Sequence, residues 1–142
     1  MNKMSGKVIT FVMCLAMCSI AAANPEIDYK LNCQGCHLPD GTGFVNKVPS
    51  FALLGDFLSV PGGREFLVQV PGTSQSLLSD SQAAEVLNWI VENFSDYVPK
   101  DFRHYTAAEV GDLRSIRVLD VLAIRAQLMD KIEHLKDCES KC

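Results

Sequence analysis

Between residues 33 and 37 the chain reads Cys33-Gln34-Gly35-Cys36-His37, and the surrounding fold must leave room for whatever these side chains hold. Two thiols spaced C-x-x-C can each add across one vinyl group of a haem, making two thioether bonds. The histidine that follows then lies under the porphyrin, where its imidazole can bind iron, so the run reads as a c-type haem attachment site. A bare C-x-x-C would serve equally as a redox dithiol or half a zinc site, and a disulfide or chance spacing is the plainer alternative. His37 and the export signal described next favour haem. Cys33 and Cys36 are the expected thioether positions of one haem c, and His37 is the expected proximal iron ligand.

Residues 1–23 have the pattern of a secretory signal peptide. Lys3 and Lys7 precede an apolar run from Val8 to Ile20, and Ala21-Ala22-Ala23 supplies small residues for cleavage before Asn24. The run is short for a full span of about 20 residues, so cleavage is expected rather than a permanent anchor. Membrane attachment would require an uncleaved signal. Lipidation at Cys18 is disfavoured by bulky Met17 beside it. Export suits the haem motif, because attachment of this kind normally takes place outside the bacterial cytoplasm. The periplasm is the expected location.

Removal of this segment takes away Lys3 and Lys7 and no acidic residue. The remainder then carries 11 Lys and Arg against 17 Asp and Glu, a net charge of −6. An acidic chain without a basic cluster disfavours nucleic acid and suits a partner with a basic docking patch. Cys14 and Cys18 leave with the signal. Cys138 and Cys142 remain at the end of the chain. A terminal disulfide, free thiols, a metal pair with nearby His134 and an intermolecular link all stay open for them.

The rest reads as all-α, with short helices and long loops. Asn24-Pro25-Glu26 combines a capping side chain, a proline suited to the first helical position and an acid that complements the dipole. It predicts a helix to about Leu31, with Tyr29 facing inward one turn before Cys33. Leu38 to Gly43 is turn chemistry. Arg64 to Val70 reads as a short helix stopped by Pro71-Gly72. Ser79-Asp80-Ser81-Gln82 is a capping box opening a helix from Asp80 to Phe94. Its apolar residues Ala83, Val86, Leu87, Ile90 and Phe94 follow the helical period, widened by Trp89 and Val91. Beyond a connector containing Pro99, Thr106-Ala107-Ala108-Glu109 is a second capping box. It predicts one long helix to about Leu135, packed through its Leu113, Leu122 and Met129 side.

With these landmarks in place, residues 24–95 resemble the small class I cytochromes c. The resemblance rests on C-x-x-C-H, on an aromatic residue four before the first cysteine (Tyr29) and on a proline twelve after the histidine (Pro49). It rests also on Arg64 to Gly72 as the middle helix and its exit, and on Leu77 to Ile90 as the closing helix. It implies a helical cytochrome c-like fold around one covalent haem. It implies also that the Pro49 carbonyl accepts a hydrogen bond from His37, orienting the ring. Residues 96–142 lie outside it, as a helical extension expected to pack on the haem domain.

The family usually places a methionine in the loop before the closing helix as second axial ligand. Here that loop, Gly72-Thr73-Ser74-Gln75-Ser76-Leu77-Leu78, holds neither Met nor His, and no methionine occurs between the motif and Met129. His104, Met129 and His134 are the outside candidates, and an open or water-bound iron is the fourth option. Each histidine has a bland reading as solvated surface, and Met129 as core filler.

The expected function is that of an exported monohaem c-type cytochrome, an electron carrier rather than an enzyme. It would pass single electrons between periplasmic redox partners, or serve as a dedicated subunit of a dehydrogenase or oxidase. The alternative is a haem-based protein that binds or senses a small ligand at an open distal site. A peroxidase-like enzyme has only Arg64, Arg103 and His104 as generic polar candidates.

Overall fold

The computed structural model describes residues 24–45 and 47–141. The expected signal in residues 1–23, with Cys14 and Cys18, and the partnership of Cys142 lie outside them. Seven α-helices occur among the described residues, and no strand is formed beyond two isolated bridges. They are α1 (Pro25–Asn32), α2 (Leu54–Leu58), α3 (Gly63–Gln69), α4 (Pro71–Ser74), α5 (Asp80–Phe94), α6 (Ala107–Arg114) and α7 (Val121–Ser140). A 3-10 turn, Phe51–Leu53, leads into α2. The all-α expectation holds. None of these helices is long and apolar enough to cross a membrane.

The first and fifth helices form where the caps predict. The Asn24 side chain accepts from the N–H groups of Glu26 and Ile27 at 3.1 and 3.2 Å, and Pro25 fills the first turn of α1. In α5 the Ser79 and Gln82 side chains complete the reciprocal capping box. Tyr29 is buried, and its hydroxyl donates to the Leu38 carbonyl at 2.6 Å. Its ring meets Trp89 and Phe94 of α5 at centroid distances of 5.3 and 5.1 Å, so aromatic side chains fasten the crossing of α1 and α5. Gly41 lets the loop after the motif reach this crossing. Its φ is +78°, and a Cβ there would overlap the Phe94 ring.

The C-terminal region corrects the expectation of one long helix. α6 ends at Arg114, residues 115–120 are non-helical, and the Asp120 side chain caps α7 by accepting from Ala123 N–H at 2.9 Å. The physical reason is packing. α6 lies on α3 and α5 whereas α7 lies on α2 and α3, and a straight helix could not follow both surfaces. The buried face changes accordingly. Val110, Leu128 and Ile132 enter the core, while Leu122 is 80% exposed, and Leu113 and Met129 are only half-buried. The expected Leu113–Leu122–Met129 seam is therefore replaced by one through Val110 and Leu128.

The second capping box is realised by half. Thr106 accepts from Glu109 N–H at 3.2 Å, but the Glu109 carboxylate goes to Arg64 at 2.5 and 2.7 Å. Arg64 also donates to the carbonyls of Arg103 and His104 and lies over the Tyr105 ring, 3.9 Å from its centroid. The extension thus joins the core of residues 24–95 through both apolar and charged contacts. Lys136 of α7 adds an ion pair to the buried carboxylate of Asp56 at 2.7 Å.

Candidate cofactor site

Helix α1 delivers the C-x-x-C-H run at its C-terminal end. The Cys33 N–H closes the last turn on the Tyr29 carbonyl at 2.8 Å, and the chain then coils back. The N–H groups of Cys36 and His37 both reach the Cys33 carbonyl, at 3.4 and 3.0 Å. Gly35 takes the φ of +132° that this coil needs. Cys33 is half-buried and Cys36 exposed, and both are free thiols.

All three side chains line one cavity. Its volume is about 160 Å³, and it opens to solvent on one side. Behind the motif stand Phe51 and Leu54, and one wall is the Ala83–Val91 face of α5. The remaining wall comes from α3, α4 and the loop after them, through Leu67, Val70, Gly72, Thr73, Ser76 and Leu78. Among the described residues no Lys, Arg, Asp or Glu side chain lines the cavity. The same α5 stripe that the helical period singled out therefore has two duties, facing α1 and α6 as core and facing this cavity.

The chemistry of the three residues follows from burial. Burial first, then Asp28 and Cys36, pushes the Cys33 thiol up to about 11. Reactive dithiols have lowered, not raised, pKa values, so Cys33 is set as a neutral thiol rather than a redox nucleophile. Burial also lowers the His37 pKa, which favours the neutral imidazole that binds metals. Among the described residues no three of His, Cys, Asp and Glu converge on a point. The two thiols and the imidazole therefore do not make a compact tetrahedral shell of the zinc type.

The His37 ring stacks on Phe51, with centroids 3.8 Å apart and planes 16° from parallel. Its Nδ1 is buried without a hydrogen-bond partner. The expected bond from His37 to the Pro49 carbonyl is thus not formed; that carbonyl lies instead against Gly43. Buried imidazole nitrogens are ordinarily satisfied, so the orphan marks this ring as one whose surroundings are incomplete by themselves.

None of the three outside ligand candidates lines the cavity. His104 is exposed and its Nε2 pairs with Glu92 at 2.6 Å. His134 is 79% exposed beside Asp130. Met129 packs at the edge of the core. Arg64 is engaged with Glu109, and Arg103 is exposed, so neither these nor His104 forms a polar cluster at the cavity. Cys138 is exposed and free.

Sequence reasoning missed Arg114. Its guanidinium donates from Nη1 to the Leu78 carbonyl at 2.9 Å, from Nη2 to Ser76 at 2.7 Å and from Nε to Ser74 at 3.4 Å. Asp80 completes the set at 2.8 Å. Nothing local in the sequence announces this, because its partners lie 34 to 40 residues away. No protein-family model matches the chain, and no curated protein is significantly similar to it.

Proposed function

We propose that this chain is an exported monohaem c-type cytochrome that passes single electrons between periplasmic partners. In this reading Cys33 and Cys36 hold one haem through thioether bonds, and His37 is its proximal iron ligand. The observation that carries it is the meeting of a C-x-x-C-H run with a single apolar cavity that all three side chains line. The raised pKa of Cys33, the lowered pKa of His37 and, among the described residues, the lack of a compact metal shell are consistent with a flat, apolar group. Such a group would take the thiols at its edge and the imidazole at its centre. The aromatic crossing of α1 and α5 supports a cytochrome c-like arrangement of residues 24–95. Residues 96–142 are then its helical extension.

When bound, haem supplies a one-electron iron couple. The protein residues do the rest. Phe51 holds the His37 ring by stacking; were Nε2 the nitrogen to hold iron, Nδ1 would carry the ring proton. The apolar faces of α3 and α5 line the cavity, and such a lining favours the less charged state of whatever lies against it. The net charge of −6 left after signal removal suits partners with basic docking faces. It gives no footing for nucleic acid.

A pyridine haemochrome assay on exported protein tests the reading. A spectrum of two-thioether haem c is expected, and protein carrying no covalent haem would sink it. A second reading, a protein that binds a small ligand at an open iron, is favoured by one observation. Among the described residues no methionine or second histidine lines the cavity.

A further inference from the structure

We infer that the sixth coordination position of the proposed haem is left to an uncharged diatomic ligand from outside, and that Arg114 governs its entry. This rests on the haem reading above and deepens it. Among the described residues, the side-chain sulfur and nitrogen donors on the cavity wall are those of the motif itself, together with the Asn32 amide. The wall formed by residues 67–78 offers only aliphatic side chains, backbone and the hydroxyls of Thr73 and Ser76, which are poor iron ligands. A loop rearrangement could not supply a better one, since residues 72–78 contain neither Met nor His.

The ligand class follows from the lining. Among the described residues no Lys, Arg, Asp or Glu borders the cavity. The Ser76 hydroxyl is turned to the Thr73 carbonyl at 3.0 Å, and the neighbouring Ser74 hydroxyl to Val70 at 3.1 Å. An anion entering here would lose its water and meet no compensating side-chain charge, leaving only the iron's own to offset that loss, which is unfavourable. A neutral diatomic such as carbon monoxide loses almost no hydration.

The wall is held from outside the cavity. Arg114, at the end of α6, gathers the carbonyls of Ser74, Ser76 and Leu78 with one guanidinium whose side chain is only 14% exposed. Gly111 allows this approach: a Cβ there would stand 2.8 Å from the Asp80 carboxylate. Residues 74–76 also close on the preceding turn through backbone and hydroxyl hydrogen bonds, and Leu78 is buried, whereas Leu77 between them is 98% exposed. The C-terminal extension therefore acts on the cavity through Arg114, a positioning residue that sets how readily the wall parts.

The test uses full-length, haem-loaded protein with carbon monoxide as probe for the reduced form and azide for the oxidised form. Wild type should bind carbon monoxide and bind azide poorly. Arg114→Gln should speed carbon monoxide association by about tenfold, the equivalent of losing one hydrogen bond from a charged donor. It should also speed amide exchange at residues 73–78. Arg114→Lys should lie between the two, and Asp80→Asn, which leaves the three carbonyl contacts, should stay near wild type. If Arg114→Gln proves unstable, the lysine and Asp80 variants carry the comparison. Six-coordinate low-spin spectra in both redox states, without carbon monoxide binding, would overturn the open position. Tight azide binding would overturn the ligand class. A lower melting temperature with unchanged association rates would reduce Arg114 to a structural role. Covalent haem with any of these results spares the cytochrome reading, whereas absence of covalent haem removes both.

Discussion

Cys33 shows how a single residue's setting narrows its chemistry. Its thiol is half-buried at the end of α1, and burial pushes it up to about 11, which favours the protonated form at neutral pH. In the proposed haem reading, replacing Cys33 or Cys36 with serine is expected to lose one thioether each, read as an altered pyridine haemochrome band. The double variant is then expected to carry no covalent haem. Tyr29 was legible from its place four residues before Cys33, but its hydroxyl's partner, the Leu38 carbonyl, was not. Tyr29→Phe should cost about 1 kcal/mol, the usual net worth of one hydrogen bond, measured by urea unfolding. Glu109 gives a pH signature. The hydrogen bonds from Arg64 hold its carboxyl below the ordinary value of 4.5. A depressed folded pKa means that the unfolded chain takes up the proton first as pH falls. The pair's contribution is therefore complete above that ordinary value and is lost through the folded pKa. Urea midpoints followed between about pH 6 and 3 should fall less steeply for Glu109→Gln than for wild type.

At the scale of elements, capping chemistry and the 3.6-residue period were reliable where a helix faces a single surface. α5 begins and ends where Ser79 and the apolar stripe predicted. Ser79→Ala should destabilise by about 1 kcal/mol, visible as a lowered thermal midpoint. The same signals failed for the C-terminal segment. Ile116, Leu119 and Leu122 continue an apolar pattern, yet they are 53%, 88% and 80% exposed. Pattern alone could not tell them from core residues, because what breaks the helix is the need of α6 and α7 to lie on different neighbours. The short helices α2 and α4 were missed for a related reason. At five and four residues they are too brief to show a period, and packing against α3 stabilises them.

For the whole molecule, the extension is part of one core and not an appended tail. Tyr105, Val110, Leu128 and Ile132 are buried with Phe57, Phe66, Val68 and Val91. Leu128→Ala should therefore cost about 2–5 kcal/mol, as core truncations do, read from denaturant unfolding. A loss below 1 kcal/mol would show that α7 is only loosely docked. Lys136 reaches Asp56 across 80 residues of sequence, and Arg64 reaches Glu109 across 45. Contacts of such separation leave no local trace in composition or period.

What the chain's sequence determined by itself is the chemistry that is local along it. The C-x-x-C-H run, the caps at Asn24 and Ser79, the aromatic before the motif and the stripe of α5 each act within a few residues, so spacing alone reveals them. The tertiary structure decided the rest: the cavity shared by the motif and the wall of residues 67–78, the turning away of His104, Met129 and His134, and the hold of Arg114 on three carbonyls. These depend on which distant segments the apolar core brings together, and that is a property of packing in space rather than of order along the chain.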